Sequence, residues 1–200
     1  MKKVLNIISS PRGEASYSIK LSNAIVEKIK TAYPGSEVKT HDLTHSPFPH
    51  LEESHLTSFF TPKENLSAIN KEAIKHSDEA ISEINDADII VIGAPLYNFS
   101  IHSTLKAWID HISRSGITFK YSDKGPEGLV KNKKVYLAIA SGGVYSEGPM
   151  KAYDFVEPYL KTFLGFIGMT DVTTIRVEGL SIPVVQDNAL QKAIDSIHVN

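Results

Sequence analysis

The sequence predicts an α/β fold: a doubly wound, five-stranded parallel sheet in the order 2-1-3-4-5, with helices on both faces. Three observations predict it. Short apolar runs alternate with segments of helical period along all 200 residues. The strongest run, Ile89-Ile90-Val91-Ile92 within 88–93, is apolar at every successive position, as a strand covered on both faces requires. No repeat, low-complexity tract or linker divides the chain, so one domain over residues 1–200 is expected. A βα repeat of this kind implies parallel strands joined by right-handed crossovers.

Each element follows in order. Val4 to Ile8 reads as a buried strand, and Leu21, Ile25 and Ile29 mark a helix that stops at Tyr33-Pro34-Gly35. Glu37 to Leu43 alternates weakly and reads as a second strand, nearer a sheet edge. The segment Ser46 to Pro62 carries three prolines and reads as irregular. A helix is expected from about Lys63 to Ala87, with Ile74, Ile81 and Ile84 on one face. After the central strand, Leu105, Ile109 and Ile112 mark the next helix. Val135 to Ala140 is a fourth strand, Tyr153 to Phe166 a helix, Val172 to Val177 a fifth strand and Ala189 to Ile197 a closing helix.

Composition narrows the chemistry. The formal charge of -2 gives no basic surface for nucleic acid. The absence of cysteine excludes a disulfide framework, a thiolate metal site, a cysteine nucleophile and a dithiol redox pair. The apolar run after Met1-Lys2-Lys3 is too short for a signal peptide, and no stretch is long enough to span a bilayer. A soluble cytoplasmic protein is the expectation. The eight histidines have no ligand-like spacing, so no metal site is expected. Trp108 reads as core or dimer interface.

In an open α/β sheet, ligands bind beyond the carboxyl ends of the strands, where strand order reverses. Three loops lie there. The first, Ser9-Ser10-Pro11-Arg12-Gly13-Glu14-Ala15-Ser16-Tyr17-Ser18, brings serine hydroxyls and main-chain amides to a helix N-terminus, a favourable place for an anion. It lacks a Walker lysine and the Gly-x-Gly-x-x-Gly spacing, so a terminal phosphomonoester fits better than a triphosphate or a bridging pyrophosphate. The same serines also read as plain helix caps. The second loop, Ala94 to His102, exposes Tyr97 and Phe99 beside the Asn98 carboxamide, groups suited to a flat conjugated ring. A turn whose aromatics pack on the next helix reads equally well. The third, Ala140-Ser141-Gly142-Gly143, has paired glycines that admit a ligand close to the backbone and free amides for hydrogen bonds, or that form a plain turn.

With these residues in view, the chain resembles the FMN-dependent NADH-azoreductases, a branch of the flavodoxin-like quinone reductases. The resemblance covers nearly the whole length. It is carried by Ser9-Ser10 with Ser16-Tyr17-Ser18, by Ala94-Pro95-Leu96-Tyr97-Asn98-Phe99, by Gly125-Pro126-Glu127-Gly128-Leu129, and by Tyr159 to Gly168. It implies FMN bound by Ser10, Ser16, Tyr17, Ser18, Leu96, Tyr97, Asn98, Phe99, Ala140, Ser141, Gly142 and Gly143. It implies a homodimer in which each active site is completed by the other subunit. The related glycine loop often reads Ser-Arg-Gly-Gly, so the arginine's side-chain contacts are missing here while the backbone contacts remain.

The activity implied is a two-electron, ping-pong transfer from NAD(P)H through FMN to quinones and aromatic azo compounds, with NADH as donor. The cofactor supplies the reactivity, so no obligatory general acid or base is named. Tyr121, Phe163 and Phe99 are candidate aromatic walls, although Phe163 shares a helix face with Val156 and Leu160 and reads equally as core. The alternatives are a flavodoxin-type carrier of single electrons between proteins, usually shorter and more acidic, and a cofactor-free interaction domain.

Overall fold

The computed structural model describes residues 1–199. Its main sheet is built from β1 (Lys3–Ile8), β2 (Glu37–Asp42), β3 (Ile89–Pro95), β6 (Lys134–Ala140) and β7 (Asp171–Val177). All neighbours pair in parallel, in the order β2-β1-β3-β6-β7. This is the expected five-stranded pattern with one difference. Two further strands, β4 (Phe119–Ser122) and β5 (Gly125–Gly128), form a separate antiparallel hairpin.

Burial follows position in the sheet. Every residue of β3 is buried, whereas β2 is exposed or half-buried throughout. The central strands therefore read as unbroken apolar runs, and the edge strand does not. Alternate residues serve two cores. Leu5, Ile7, Ile90, Ile92, Leu137 and Ile139 face α3 (Ala68–Asp86), α4 (Ser103–Ile112) and α5 (Glu157–Ile167). Val4, Ile89, Val91, Tyr136, Ala138 and Ile175 face α1 (Tyr17–Ala32) and α6 (Gln186–Asp195). Trp108, on α4, is almost wholly buried in the first core of its own chain.

Several predicted boundaries move, each for a local reason. The helix expected from Lys63 starts at Ala68, where Ser67 and Asn70 form a reciprocal capping box; Lys63–Asn65 makes a short 3-10 turn instead. The helix expected from Tyr153 starts at Glu157 with Pro158 in its first turn, while Pro149–Tyr153 is a 3-10 turn. The closing helix begins at Gln186 and ends at Asp195. Ser46 to Pro62 is not wholly irregular, since Glu53–Phe60 forms α2, closed at its start by Glu52 and His55.

The hairpin explains two of the motifs behind the family resemblance. Gly128 lies against the end of α5 so closely that a Cβ there would sit 2.1 Å from the Gly168 nitrogen. Gly168 itself ends α5 with φ +108, and Val130 N donates to Ile167 O at 2.9 Å. The glycines of both motifs thus hold the hairpin against the helix.

Candidate functional site

Four loops meet at the carboxyl ends of the parallel strands, beside the reversal between β1 and β3, and enclose a cleft of about 380 Å³. Ser10, Arg12, Ser16, Tyr17 and Ser18 line it from the loop after β1 and the start of α1. Pro95, Leu96 and Tyr97 come from the end of β3, Ala140, Ser141 and Gly142 from β6, and Leu180 and Ser181 from the loop after β7.

The first wall is a helix start. Ser16 caps α1 by accepting from Ile19 N at 3.4 Å, and its Oγ lies 3.0 Å from Ser18 Oγ. Its two expected roles are compatible, because one hydroxyl both caps the helix and lines the cleft. The N–H groups of Tyr17 and Ser18 lie in the first turn and have no intrahelical acceptor. Ser9 belongs elsewhere: its Oγ donates to Gly93 O at 2.7 Å and pins β1 to β3.

The second wall is a tight turn. Leu96 N donates to Ala140 O at 2.8 Å, joining the loops after β3 and β6. Tyr97 and Ser100 exchange main-chain bonds of 3.0 and 2.9 Å around Asn98 and Phe99, whose φ values are 49° and 70°. Asparagine tolerates this conformation, but phenylalanine rarely adopts it. Such strain collects where a chain must present side chains in one direction. Asn98 is exposed, and Phe99 is 45% exposed with its ring 5.8 Å from that of Tyr153.

The third wall leaves donors free. The loop after β7 uses up the carbonyls of the glycine loop: Leu180 N donates to Ser141 O, Ser181 N to Gly142 O and Gly179 N to Gly143 O, at 2.9–3.3 Å. The amides of Gly142 and Gly143 have no acceptor among the described residues. A Cβ on Gly142 would come within 2.7 Å of Ser181 Oγ, which lines the same cleft. Any side chain at Gly142 would therefore crowd this wall.

A network of charges supports that wall from behind. Glu178 Oε1 accepts from Tyr145 N at 2.8 Å, from Ser146 N at 3.0 Å and from Arg176 Nη1 at 3.2 Å. Arg176 also pairs with Asp154 and Glu157 at the start of α5. Burial alone would raise the Glu157 pKa. Hydrogen bonds from Lys161, Arg176 and Thr174 outweigh burial and hold it at about 2.

These residues fit FMN by the chemistry of their donors. No carboxylate lines the cleft, and Arg12 is its one charged side chain among the described residues. Hydroxyls and amides at a helix start suit a phosphate, and the bare Gly142 backbone admits a ring edge closely. Tyr97 also lines a second, larger cavity of about 720 Å³, together with Asn98, His102, Lys106 and Tyr159.

Of the predicted site residues, Ser10, Ser16, Tyr17, Ser18, Leu96, Tyr97, Ala140, Ser141 and Gly142 line the smaller cleft. Asn98 lines the larger cavity, while Phe99 and Gly143 line neither. Tyr121 is 71% exposed on the hairpin, edge-on to Phe119. Phe163 packs against the core on α5, so the core reading of that residue describes its own chain. Neither lines either cavity. Arg12, Leu180, Ser181, His102 and Tyr159 were not among the predicted site residues. Leu180 and Ser181 follow the carboxyl end of a strand, the rule that found the other three loops, applied here to the edge strand β7.

Among the described residues, no group of three or more histidine or acidic side chains is placed to hold a metal ion, and no helix is long and apolar enough to cross a membrane.

The profile of a family with a flavodoxin-like fold matches residues 2–199. An FMN-dependent NADH:quinone oxidoreductase of Herminiimonas arsenicoxydans is 50% identical over 199 residues, 99% of this chain and 98% of that protein. The crystal structure of an azoreductase from Bacillus anthracis str. Sterne superposes with a TM-score of 0.90 at 32% identity, covering 98% of this chain and 96% of that one. An FMN-dependent NADH-azoreductase from Bacillus anthracis str. Ames Ancestor, solved in complex with FMN, gives 0.85 at 26% identity, covering 98% and 97%. This chain belongs to the flavodoxin-like family and, within it, to the FMN-dependent NADH:quinone oxidoreductases.

Proposed function

We propose that this protein is an FMN-dependent oxidoreductase that uses NADH to reduce quinones and aromatic azo compounds. One observation carries the reading: four strand-end loops converge on a cleft of hydroxyls, main-chain amides and one guanidinium, with no carboxylate among the described residues. Relatives named for this activity match over nearly the full length, which supports the same conclusion. Ser10, Ser16, Ser18 and the amides of the α1 start would hold the phosphate of FMN. Leu96, Tyr97, Asn98 and Phe99 would hold one side of its ring, and the backbone of Ala140 to Gly143 its polar edge. When bound, FMN supplies hydride chemistry in two directions, so donor and acceptor visit one site in turn. The protein orients both partners, keeps water from the ring and places amides where negative charge develops.

We read the chain as one domain that works in the cytoplasm as a homodimer. The dimer reading rests on an exposed aromatic patch, with Tyr153 and Phe155 at 50% and 54% exposure next to Phe99. In a dimer, Tyr121 and Phe163 have a part only across the subunit boundary, since neither lines the cofactor cleft or the larger cavity beside it. Sedimentation at micromolar concentration should give twice the chain mass, and a monomer there removes this reading.

The activity is tested by anaerobic addition of NADH to the FMN-loaded protein. The visible flavin band should bleach, then return when a small quinone is added. Protein that takes up no FMN, or whose band survives NADH, contradicts the reading. Sustained NADH oxidation with the quinone separates an enzyme from a carrier of single electrons.

A further inference from the structure

The helix α4 is capped by a histidine. His102 Nδ1 accepts from Thr104 N at 3.3 Å and lies 2.8 Å from Thr104 Oγ1. A main-chain N–H can only donate, so Nδ1 holds a lone pair there. The proton of the neutral ring must then sit on Nε2. Serine, threonine, aspartate and asparagine are the usual caps and need no ring for the task. What histidine adds is a fixed N–H donor on the far side of the cap. That Nε2 has no hydrogen-bond partner among the described residues.

The surroundings say what such a donor could meet. His102 lines the cavity of about 720 Å³ with Tyr97, Asn98, Lys106 and Tyr159. Tyr97, which packs edge-on against the imidazole at 5.6 Å, also lines the cofactor cleft, so the two spaces adjoin. Burial pulls the His102 pKa below its ordinary value, and protonation would cost the cap its acceptor. The charged and titratable groups around it are Lys106 on α4, paired with Asp110, the Tyr97 phenol on the turn after β3, and the Tyr159 phenol on α5. No carboxylate lines this cavity among the described residues. Aromatic walls with a neutral N–H and an ammonium suit a flat acceptor whose oxygen gains negative charge.

We infer that His102 is the hydrogen-bond donor to a carbonyl oxygen of the quinone acceptor, an inference that rests on the proposed NADH:quinone reductase activity. A quinone becomes a hydroquinone by gaining two electrons and two protons. The electron pair and one proton derive from NADH as a hydride equivalent, and water supplies the second proton. Both C=O groups end as C–OH. Charge builds on the oxygen before water protonates it, and the Nε2–H stabilises that charge while keeping its own proton.

The test uses FMN-loaded protein, NADH, and two acceptors. A small benzoquinone has the carbonyl; ferricyanide gains one electron and no proton and has none. His102→Ser keeps a capping oxygen and removes the donor, while His102→Asn keeps the cap and offers a carboxamide N–H. For His102→Ser, kcat/KM for the quinone relative to ferricyanide should fall on the order of 10- to 100-fold, mostly in kcat. His102→Asn should recover part of that ratio. An unchanged ratio in His102→Ser, or an equal loss with both acceptors, overturns the inference and leaves the proposed activity standing. Wild-type protein whose flavin NADH does not reduce removes both together.

Discussion

The two adjoining cavities are built from different chemistry. The smaller cleft is walled by serine hydroxyls, main-chain amides and bare glycine, with Arg12 its one charge among the described residues. The larger one adds His102 and Lys106 to hydroxyls and a carboxamide from Ser100, Ser103 and Asn98, and both spaces have two tyrosines in their walls. Tyr97 belongs to both. The two spaces divide the labour. A donor set of amides and hydroxyls does not titrate near neutral pH, and its geometry is set by strand ends and helix starts. Such a set suits a group that stays bound. Side chains carried on a helix start and helix faces suit visitors that come and go, and they can be exchanged without disturbing the sheet.

The largest expected effect comes from closing the smaller cleft. Gly142→Val puts a branched side chain where even a Cβ would meet Ser181 Oγ at 2.7 Å. The variant should emerge from gel filtration without FMN while its far-ultraviolet circular dichroism stays that of the wild type. Wild-type flavin content would show that the cofactor does not rest against the Gly142 backbone.

The next effect concerns the charged support behind the glycine loop. Glu157 is held at about 2 against an ordinary 4.5, so its contribution is complete above about pH 4.5 and is lost as pH falls toward 2. The lost stability should be on the order of 3 kcal/mol at most, since Glu157 shares Arg176 with two other carboxylates. Urea midpoints measured from pH 6 down to about 3 should fall steeply in the wild type and less so in Glu157→Gln. Equal slopes would mean that the network does not hold the loop.

Asn98 sharpens the boundary between the cavities. Asn98→Ala removes the carboxamide and places alanine at φ 49°, and FMN affinity should drop about tenfold with about 1 kcal/mol of stability. Asn98→Gly relieves the backbone but not the missing carboxamide, so it should recover stability without recovering affinity. Recovery of both would assign Asn98 to the turn alone. The smallest effect belongs to Ser16→Ala, which loses the α1 cap at about 1 kcal/mol and one phosphate donor. Thermal unfolding and a fluorescence titration with FMN check the two losses separately.

The fold was legible where the strands are buried on both faces. Ile89-Ile90-Val91-Ile92 admits few other readings, and its place in the sheet locates the loops that matter. The hairpin was not legible because Phe119–Ser122 spans four residues and Gly125–Gly128 contains no strand former. Its position depends on the close approach of Gly128 to Gly168, a contact between distant parts of the chain. The eight-residue α2, set among prolines, was hidden for a similar reason. In the site, strand ends pointed to Ser16, Leu96 and Gly142, whereas the pairing of β7's loop with the glycine loop has no local signal. Tyr121 and Phe163 stand out in the sequence only as aromatic residues, and aromatic type alone does not separate a cleft wall from a hairpin surface or a core helix.

The most direct test is a crystal structure of the wild-type chain grown with FMN. The phosphate should lie against Ser16, Ser18 and the first amides of α1, with the ring between Tyr97 and the Gly142 backbone. A flavin seated elsewhere, or held in this cleft by charged side chains rather than hydroxyls and amides, would contradict this placement.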